Sequence, residues 1–190
     1  MLIYIHGFNS SPASSKAQLL QSRLEALGRG AEFGAPALPH SPAQAAAQLE
    51  ALALRHPGMA LVGSSLGGYY ATWLAEKHRL KAVLLNPAVR PYELLRDHVG
   101  PQQNFHTGER YEFTARHVEE LRALEVAAIT PARYLLIAAI GDEVLDYRSA
   151  VERYRGCRQI VIEGSDHGLS DFERHVDAVI EFCGAGGKSG

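Results

Sequence analysis

The feature of this sequence that most constrains its fold is an alternation of short apolar runs with longer amphipathic segments. The apolar runs predict strands at residues 2–5, 60–62, 81–85, 133–139 and 158–162, with a weaker strand near 31–35. Strands separated by helix-length segments form βαβ units, and continuously apolar strands are buried on both faces. The sequence therefore predicts an α/β protein with a mainly parallel sheet and helices on both faces.

The amphipathic segments predict the helices of these units. Residues 14–27, for example, place Ala17, Leu20 and Leu24 on one helical face. The other predicted helices are at residues 43–55, 67–78, 147–154 and 171–182. At 190 residues the chain is long enough to bury a substantial core as one domain. We expect a single domain at residues 1–183, followed by a flexible tail at 184–190.

The stretch Gly63-Ser64-Ser65-Leu66-Gly67 joins a predicted strand to a predicted helix. A G-x-S-x-G sequence in this context is typical of a nucleophile elbow, in which a tight turn exposes the central serine. Ser65 is therefore the candidate nucleophile. Because the chain contains 18 glycines, the pattern alone also fits an ordinary glycine-rich turn. The choice between the two depends on whether a base, an acid and an oxyanion hole accompany it.

A base and an acid follow Ser65 in the order that serine hydrolases of the α/β type require. His167 lies in a glycine-flanked loop between the last predicted strand and the last predicted helix. Asp142 directly follows the preceding strand, which directs its carboxylate toward the site. Asp146 is the alternative acid, although it also fits the N-cap of the next helix. Glu143 is expected to point elsewhere.

Two backbone N–H groups are expected to form the oxyanion hole. One belongs to Leu66, the residue after the nucleophile. The other comes from the loop after the first strand, where Phe8 follows His6-Gly7. Such donors stabilise the negative charge that develops on a carbonyl oxygen during acyl transfer.

Residues 88–130 interrupt the alternation. A connection of this length in a compact domain is usually functional or has structure of its own. The segment contains a predicted helix at residues 115–124 and several arginine, histidine and aromatic side chains. We interpret it as a small cap over the site, the alternative being an ordinary surface excursion.

Several other functions find no support in the sequence. A net charge of −2 and the lack of a basic patch argue against nucleic acid as a partner. No motif for a metal, phosphate loop or cofactor is found, and no apolar run has the length of a membrane span. Without a visible secretory signal, and with Cys157 and Cys183 expected to be reduced, we predict a cytoplasmic location. The sequence gives no indication of the oligomeric state.

Four motifs together resemble the YqiA-type esterases, small bacterial members of the α/β-hydrolase superfamily. They are Tyr4–Pro12 (YIHGFNSSP), Val62–Tyr70 (VGSSLGGYY), Leu85–Pro91 (LNPAVRP) and Gly141–Tyr147 (GDEVLDY). The resemblance extends from about residue 2 to residue 182. It implies a shortened α/β-hydrolase fold that begins at the strand before the oxyanion loop. It also implies Ser65 as nucleophile, Asp142 as acid and His167 as base, acting on short acyl esters.

The expected function is therefore that of a serine hydrolase that cleaves short-chain carboxylic esters through an acyl-enzyme. The substrate is a small acyl ester or thioester, and no cofactor or metal is needed. An acyl-CoA thioesterase is the first alternative, with Arg90 and Arg96 as candidate phosphate contacts. A binding protein without catalysis, built on the same scaffold, is the second.

Overall fold

The computed structural model describes residues 1–184 and contains a six-stranded sheet and a separate two-stranded hairpin. The strands are β1 (Leu2–Ile5), β2 (Phe33–Gly34), β3 (Ala60–Ser64), β4 (Lys81–Leu85), β5 (Gly100–Gln103), β6 (Arg110–Phe113), β7 (Tyr134–Ala139) and β8 (Arg158–Ile162). The large sheet has the order β2-β1-β3-β4-β7-β8, and each of its pairs is parallel. The predicted α/β class with a parallel sheet is confirmed.

The described residues also contain seven α-helices. They are α1 (Ser15–Ala26), α2 (Pro42–Arg55), α3 (Leu66–His78), α4 (Pro91–Leu94), α5 (Ala115–Arg122), α6 (Tyr147–Arg153) and α7 (Val176–Gly184). The last helix starts later than predicted, because Phe172–His175 form a 3₁₀ turn. It also includes Gly184, which was assigned to the tail, so that assignment is wrong at this residue. The rest of the predicted flexible tail, residues 185–190, lies outside the described residues.

The helices cover both faces of the large sheet, as predicted. Leu20 and Leu24 of α1 pack with Val179 of α7 on one face. On the other face, Leu49 of α2 and Leu74 of α3 belong to a second buried cluster. The four inner strands, β1, β3, β4 and β7, contribute alternate residues to the two clusters, which explains why their apolar runs are continuous rather than alternating.

The interrupting segment at residues 88–130 has more structure than its sequence predicts. The helix predicted at 115–124 corresponds to α5, whose N-cap Thr114 forms a capping box with His117. The antiparallel hairpin of β5 and β6 was not predicted. It packs beside the loop that follows β1, as described below.

No helix within residues 1–184 is both long and apolar enough to cross a membrane. Cys157 and Cys183 are free cysteines, and burial raises the pKa of their thiols to about 11 and about 12 respectively.

Candidate active site

The three predicted triad residues lie at one edge of the large sheet. Ser65 follows β3, Asp142 follows β7 and His167 follows β8. Because these strands are parallel, their carboxyl ends meet at the same edge, where open α/β sheets bind their ligands. The loop after β1, with Phe8, opens at this edge as well.

Ser65 occupies a strained turn between β3 and α3. Its φ of 53° and ψ of −120° lie in a region that L-residues rarely adopt, at a cost of about 1–3 kcal/mol. The neighbouring chain holds this conformation through three backbone hydrogen bonds. The Ser65 N–H donates to Leu85 (3.0 Å), and the Ser65 carbonyl accepts from Gly68 (2.9 Å) and Ala88 (3.1 Å).

The glycines of the elbow are required by close packing. A Cβ at Gly67 would lie 2.0 Å from the carbonyl oxygen of Ile5, and one at Gly63 would lie 2.3 Å from the carbonyl oxygen of Gly67. Neither position can hold a side chain unless the backbone moves. The strand, the elbow and α3 therefore approach one another at distances that only glycine permits.

A continuous chain of hydrogen bonds links the three side chains. The Nε2 atom of His167 is 3.1 Å from the Ser65 Oγ atom. On the other side of the ring, Nδ1 is 2.8 Å from Oδ2 and 3.0 Å from Oδ1 of Asp142. With the carboxylate ionised, this arrangement assigns the ring proton to Nδ1 and leaves Nε2 free to accept the serine proton.

The environment of Asp142 favours its charged form, and its side chain is only 2% exposed. Burial by itself raises the pKa of Asp142, but hydrogen bonds from His167, Leu145 and Val144 hold it below its usual value. Oδ1 accepts the N–H groups of Val144 (2.9 Å) and Leu145 (2.8 Å). The Asp142 side chain is therefore a fixed carboxylate near neutral pH.

The other two carboxylates near Asp142 have different contacts. Asp146 caps α6, where Oδ1 accepts the Arg148 N–H at 3.0 Å. Glu143 was expected to point elsewhere, which is wrong: its Oε2 atom accepts the backbone N–H of His167 at 3.0 Å. Of these three carboxylates, Asp142 is the one whose oxygens contact the His167 ring.

The predicted oxyanion donors flank the candidate nucleophile. Leu66 is the first residue of α3, and Phe8 follows Gly7, whose backbone lies against Ser65. Within residues 1–184, neither the Phe8 nor the Leu66 N–H donates to another group. Unpaired N–H groups beside a nucleophile are what an oxyanion hole requires, so both stay predicted donors.

His6 anchors the start of this loop in a way that the sequence does not reveal. Its Nε2 atom accepts the N–H of Leu38 at 3.2 Å, and its Nδ1 atom lies 3.0 Å from the Gly7 carbonyl oxygen. Burial lowers the pKa of His6, against the opposing effect of the Gly7 contact, and His106 and His40 lower it slightly further. His6 is thus held as a neutral ring.

The hairpin β5–β6 anchors the other end of the loop. The hydroxyl of Tyr111 donates to Oδ1 of Asn9 (2.7 Å), and Nδ2 of Asn9 donates to Gln102 (3.1 Å). Asn104 donates to the carbonyl of Ser10 at 2.9 Å. The inserted segment at residues 88–130 therefore contacts the predicted oxyanion loop directly.

A cavity of about 590 Å³ lies beside the segment that follows Asp142. It lies between α3, α6 and the segments 87–94, 125–127 and 144–146. Val144 and Leu145 line it, and these are the residues whose N–H groups bind Asp142. Its charged lining carries both signs, with Arg90, Glu93, Glu125, Asp146, Glu152 and Arg153.

Within the described part of the chain, no group of three or more histidine, cysteine or acidic side chains is arranged to hold a metal ion.

Comparisons with known proteins agree with this architecture. The model of an uncharacterised protein family, UPF0227, matches residues 1–184. Among solved structures, a protein from Agrobacterium vitis S4 is 20% identical, with 96% of this chain and 87% of that chain covered and a TM-score of 0.73.

Two further proteins of known structure share this fold. Est1E from Butyrivibrio proteoclasticus is 19% identical, with 95% of this chain and 85% of that chain covered and a TM-score of 0.72. Another structure of Est1E has ferulic acid bound. Alpha/beta hydrolase domain-containing protein 10 from mouse is 16% identical, with coverage of 95% and 89% and a TM-score of 0.66. The predicted α/β-hydrolase fold is confirmed.

Proposed function

Since the chain belongs to the UPF0227 family, the YqiA-like family that its motifs resemble, we propose that it is a serine hydrolase of short-chain carboxylic esters. The observation that carries this proposal is the hydrogen-bonded chain from Ser65 through His167 to Asp142. A serine hydroxyl is a weak nucleophile at neutral pH and becomes effective when a neighbouring base accepts its proton. All three groups lie at the distances that this chemistry requires.

In the proposed reaction, Ser65 Oγ attacks the ester carbonyl carbon while His167 Nε2 takes its proton. The N–H groups of Phe8 and Leu66 stabilise the oxyanion of the tetrahedral intermediate. The bond to the alcohol oxygen then breaks, and His167 returns its proton to the leaving alcohol. Water, deprotonated by His167, attacks the acyl-enzyme, releases the carboxylic acid and restores the Ser65 hydroxyl.

We place the alcohol part of the ester in the cavity beside Asp142. That cavity starts at Val144 and Leu145, next to the acid, and its volume of about 590 Å³ suits a small organic group. Because the cavity lining contains both acidic and basic side chains, it shows no preference for an anionic ligand.

An acyl-CoA thioester is a weaker candidate than an ester. The two arginines considered for phosphate contacts both have carboxylates beside them, since Arg90 is 3.6 Å from Glu93 and Arg96 is 3.9 Å from Asp97. These exposed pairs are weak, yet the acidic partners reduce the local attraction for phosphate. Rates on matched esters and thioesters of the same acyl group distinguish the two substrates.

Labelling with a fluorophosphonate probe tests the proposal directly. We expect covalent labelling of Ser65 and hydrolysis of p-nitrophenyl acetate and butyrate, with ethyl ferulate added to the panel because Est1E binds ferulic acid. Ser65→Ala should abolish labelling and lower kcat by at least about 10⁴-fold.

Ser64→Ala is the matched control, because Ser64 is the adjacent serine but its side chain is buried. This variant should still be labelled. A wild-type protein that neither reacts with the probe nor hydrolyses any ester would instead favour a binding protein on a hydrolase scaffold.

A further inference from the structure

Asn86 is a buried polar residue outside the predicted triad, directly after β4. Its side chain is among the least accessible polar groups of the molecule, since the residue is 3% exposed. Buried amides are retained where their hydrogen-bonding groups are satisfied, so the partners of Asn86 indicate what the residue does.

The side-chain amide of Asn86 joins two segments of the site. Its Nδ2 atom donates to the carbonyl oxygens of Asp166 (3.0 Å) and His167 (3.2 Å). Its Oδ1 atom accepts the N–H of Ala139 (2.8 Å), the last residue of the strand that leads to Asp142. Both donor hydrogens and the acceptor are therefore in use.

The backbone around Asn86 contacts β7 and the turn that holds Ser65. Its N–H donates to Ile137 (2.9 Å), and the preceding residue, Leu85, accepts the N–H of Ser65 (3.0 Å). Asn86 adopts a φ of 41°, a left-handed conformation that asparagine tolerates better than most side chains. Asn86 thus connects the segments that carry Asp142 and His167, and the residue before it binds the backbone of Ser65.

We propose that Asn86 is a positioning residue that fixes the His167 loop, so that the imidazole keeps contact with both Ser65 and Asp142. This inference rests on the proposed function and deepens it. The side chain requires two donors and one acceptor, a combination that asparagine supplies and that aspartate and serine do not. Lys16 supports the same loop, where its Nζ atom donates to the Gly168 carbonyl (2.6 Å).

The substitution Asn86→Asp removes the two hydrogen bonds to the His167 loop and keeps the bond to Ala139. Aspartate has the same shape, also tolerates a left-handed φ, and keeps an acceptor for the Ala139 N–H. It loses both donors and places a carboxylate against the carbonyl oxygens of residues 166 and 167. We expect kcat for p-nitrophenyl butyrate to fall about 10²-fold, as for a small misplacement of a catalytic group, with KM little changed because Asn86 does not face the substrate.

Tyr134→Phe is the matched control for a general loss of stability. Tyr134 is buried in β7 at the end opposite to Asp142, and its hydroxyl donates to Glu76 at 2.7 Å. Removing this bond should lower the melting temperature but leave kcat unchanged. If Asn86→Asp fails to fold, Asn86→Gly replaces it, since glycine permits the same φ and removes the amide entirely.

Proton–nitrogen correlation spectra of the histidine rings supply a readout that does not need turnover. In the wild-type protein we expect His167 in a single tautomer, with its proton on Nδ1. In Asn86→Asp this should become a mixture, while Tyr134→Phe should match the wild type. An Asn86→Asp or Asn86→Gly protein with wild-type kcat, or with the wild-type His167 tautomer, would overturn the inference. Should the wild-type protein hydrolyse no ester, the proposed function fails while the spectra still test the position of His167.

Discussion

Both carboxylate oxygens of Asp142 face Nδ1 of His167, at 3.0 Å for Oδ1 and 2.8 Å for Oδ2. The carboxylate therefore fixes the ring tautomer that the proposed reaction needs. We expect Asp142→Asn to lower kcat by about 10⁴-fold, because the amide can stabilise the wrong tautomer. Steady-state kinetics on a p-nitrophenyl ester measure this loss.

Asp146→Asn is the matched comparison for the acid. Asparagine caps a helix as well as aspartate does, so both the stability and kcat of this variant should stay close to those of the wild type. A larger loss of kcat in Asp146→Asn than in Asp142→Asn would exchange the roles of the two residues.

The strained conformation of Ser65 predicts a gain in stability when the residue is replaced by glycine. At a φ of 53° a side chain adds steric cost that glycine does not have. We expect Ser65→Gly to be more stable than Ser65→Ala by about 0.5–1 kcal/mol, after allowing for the greater flexibility of glycine in the unfolded chain. Urea unfolding of the two inactive variants gives this difference, and equal stabilities would show that residue 65 stores no strain.

The buried ring of His6 predicts a loss of stability in mild acid. Burial is the main reason that the pKa of His6 is lowered from 6.5 in the folded protein. As the pH falls below 6.5, the pKa of His6 in the unfolded chain, the unfolded chain binds a proton more readily than the folded protein does. The free energy of unfolding therefore decreases as the pH falls from this value toward the lower pKa of the folded protein. The slope attributable to this one group is at most about 1.4 kcal/mol per pH unit.

His6→Gln tests this assignment, because glutamine does not titrate. Its free energy of unfolding should depend less steeply on pH than that of the wild type below about pH 6.5, with the two slopes converging above it. If the free energy of unfolding of both proteins had the same pH dependence at every pH, groups other than His6 would cause the acid sensitivity.

The bond between Tyr111 and Asn9 predicts that the hairpin supports the proposed oxyanion loop. Loss of one oxyanion donor costs an enzyme about 10²–10³-fold in kcat, and a loosened loop should cost part of that, about 10-fold for Tyr111→Phe. Tyr92→Phe is the control, since Tyr92 lies in the same inserted segment and its hydroxyl donates to Glu125 (2.6 Å), away from the loop. Equal effects of the two substitutions would argue against a specific role for the hairpin.

The cavity beside the acid predicts a substitution that changes substrate preference. Ser149 is an exposed residue of α6 that lines the cavity, so Ser149→Trp fills space without disturbing the core. KM for esters of bulky alcohols should rise at least about 10-fold, equivalent to about 1.4 kcal/mol of lost binding, while KM for methyl esters stays the same. Arg148→Trp, on the same helix but outside the cavity lining, should leave both unchanged.

Much of the large sheet can be predicted from the sequence because its inner strands are buried on both faces. β4 is such a strand and has the predicted bounds, Lys81–Leu85. The edge strand β8 also has its predicted bounds, Arg158–Ile162, although it is only partly buried. The hairpin has no such signal: β5 reads Gly-Pro-Gln-Gln, without an apolar alternation. Its pairing with β6 and its contacts with Asn9 determine its place, and no local pattern of residues encodes them.

The candidate triad could be predicted because chain order and a parallel topology together bring its members to one edge. The residues that hold it in place could not. Asn86 contacts the carbonyl of Asp166, 80 residues away, and Lys16 contacts that of Gly168, 152 residues away. In the sequence each is an ordinary polar residue of a loop or helix, and only the folded chain shows its partner.

The position of β8 has a consequence for how the protein is made. Ser65 and His167 are 102 residues apart, and among the described strands β8 pairs with β7 alone. Since synthesis proceeds from the N-terminus, the elbow leaves the ribosome long before the strand that delivers the imidazole. Under the proposed function, a growing chain therefore carries its serine without a base, and hydrolysis begins only when the final edge of the sheet is in place.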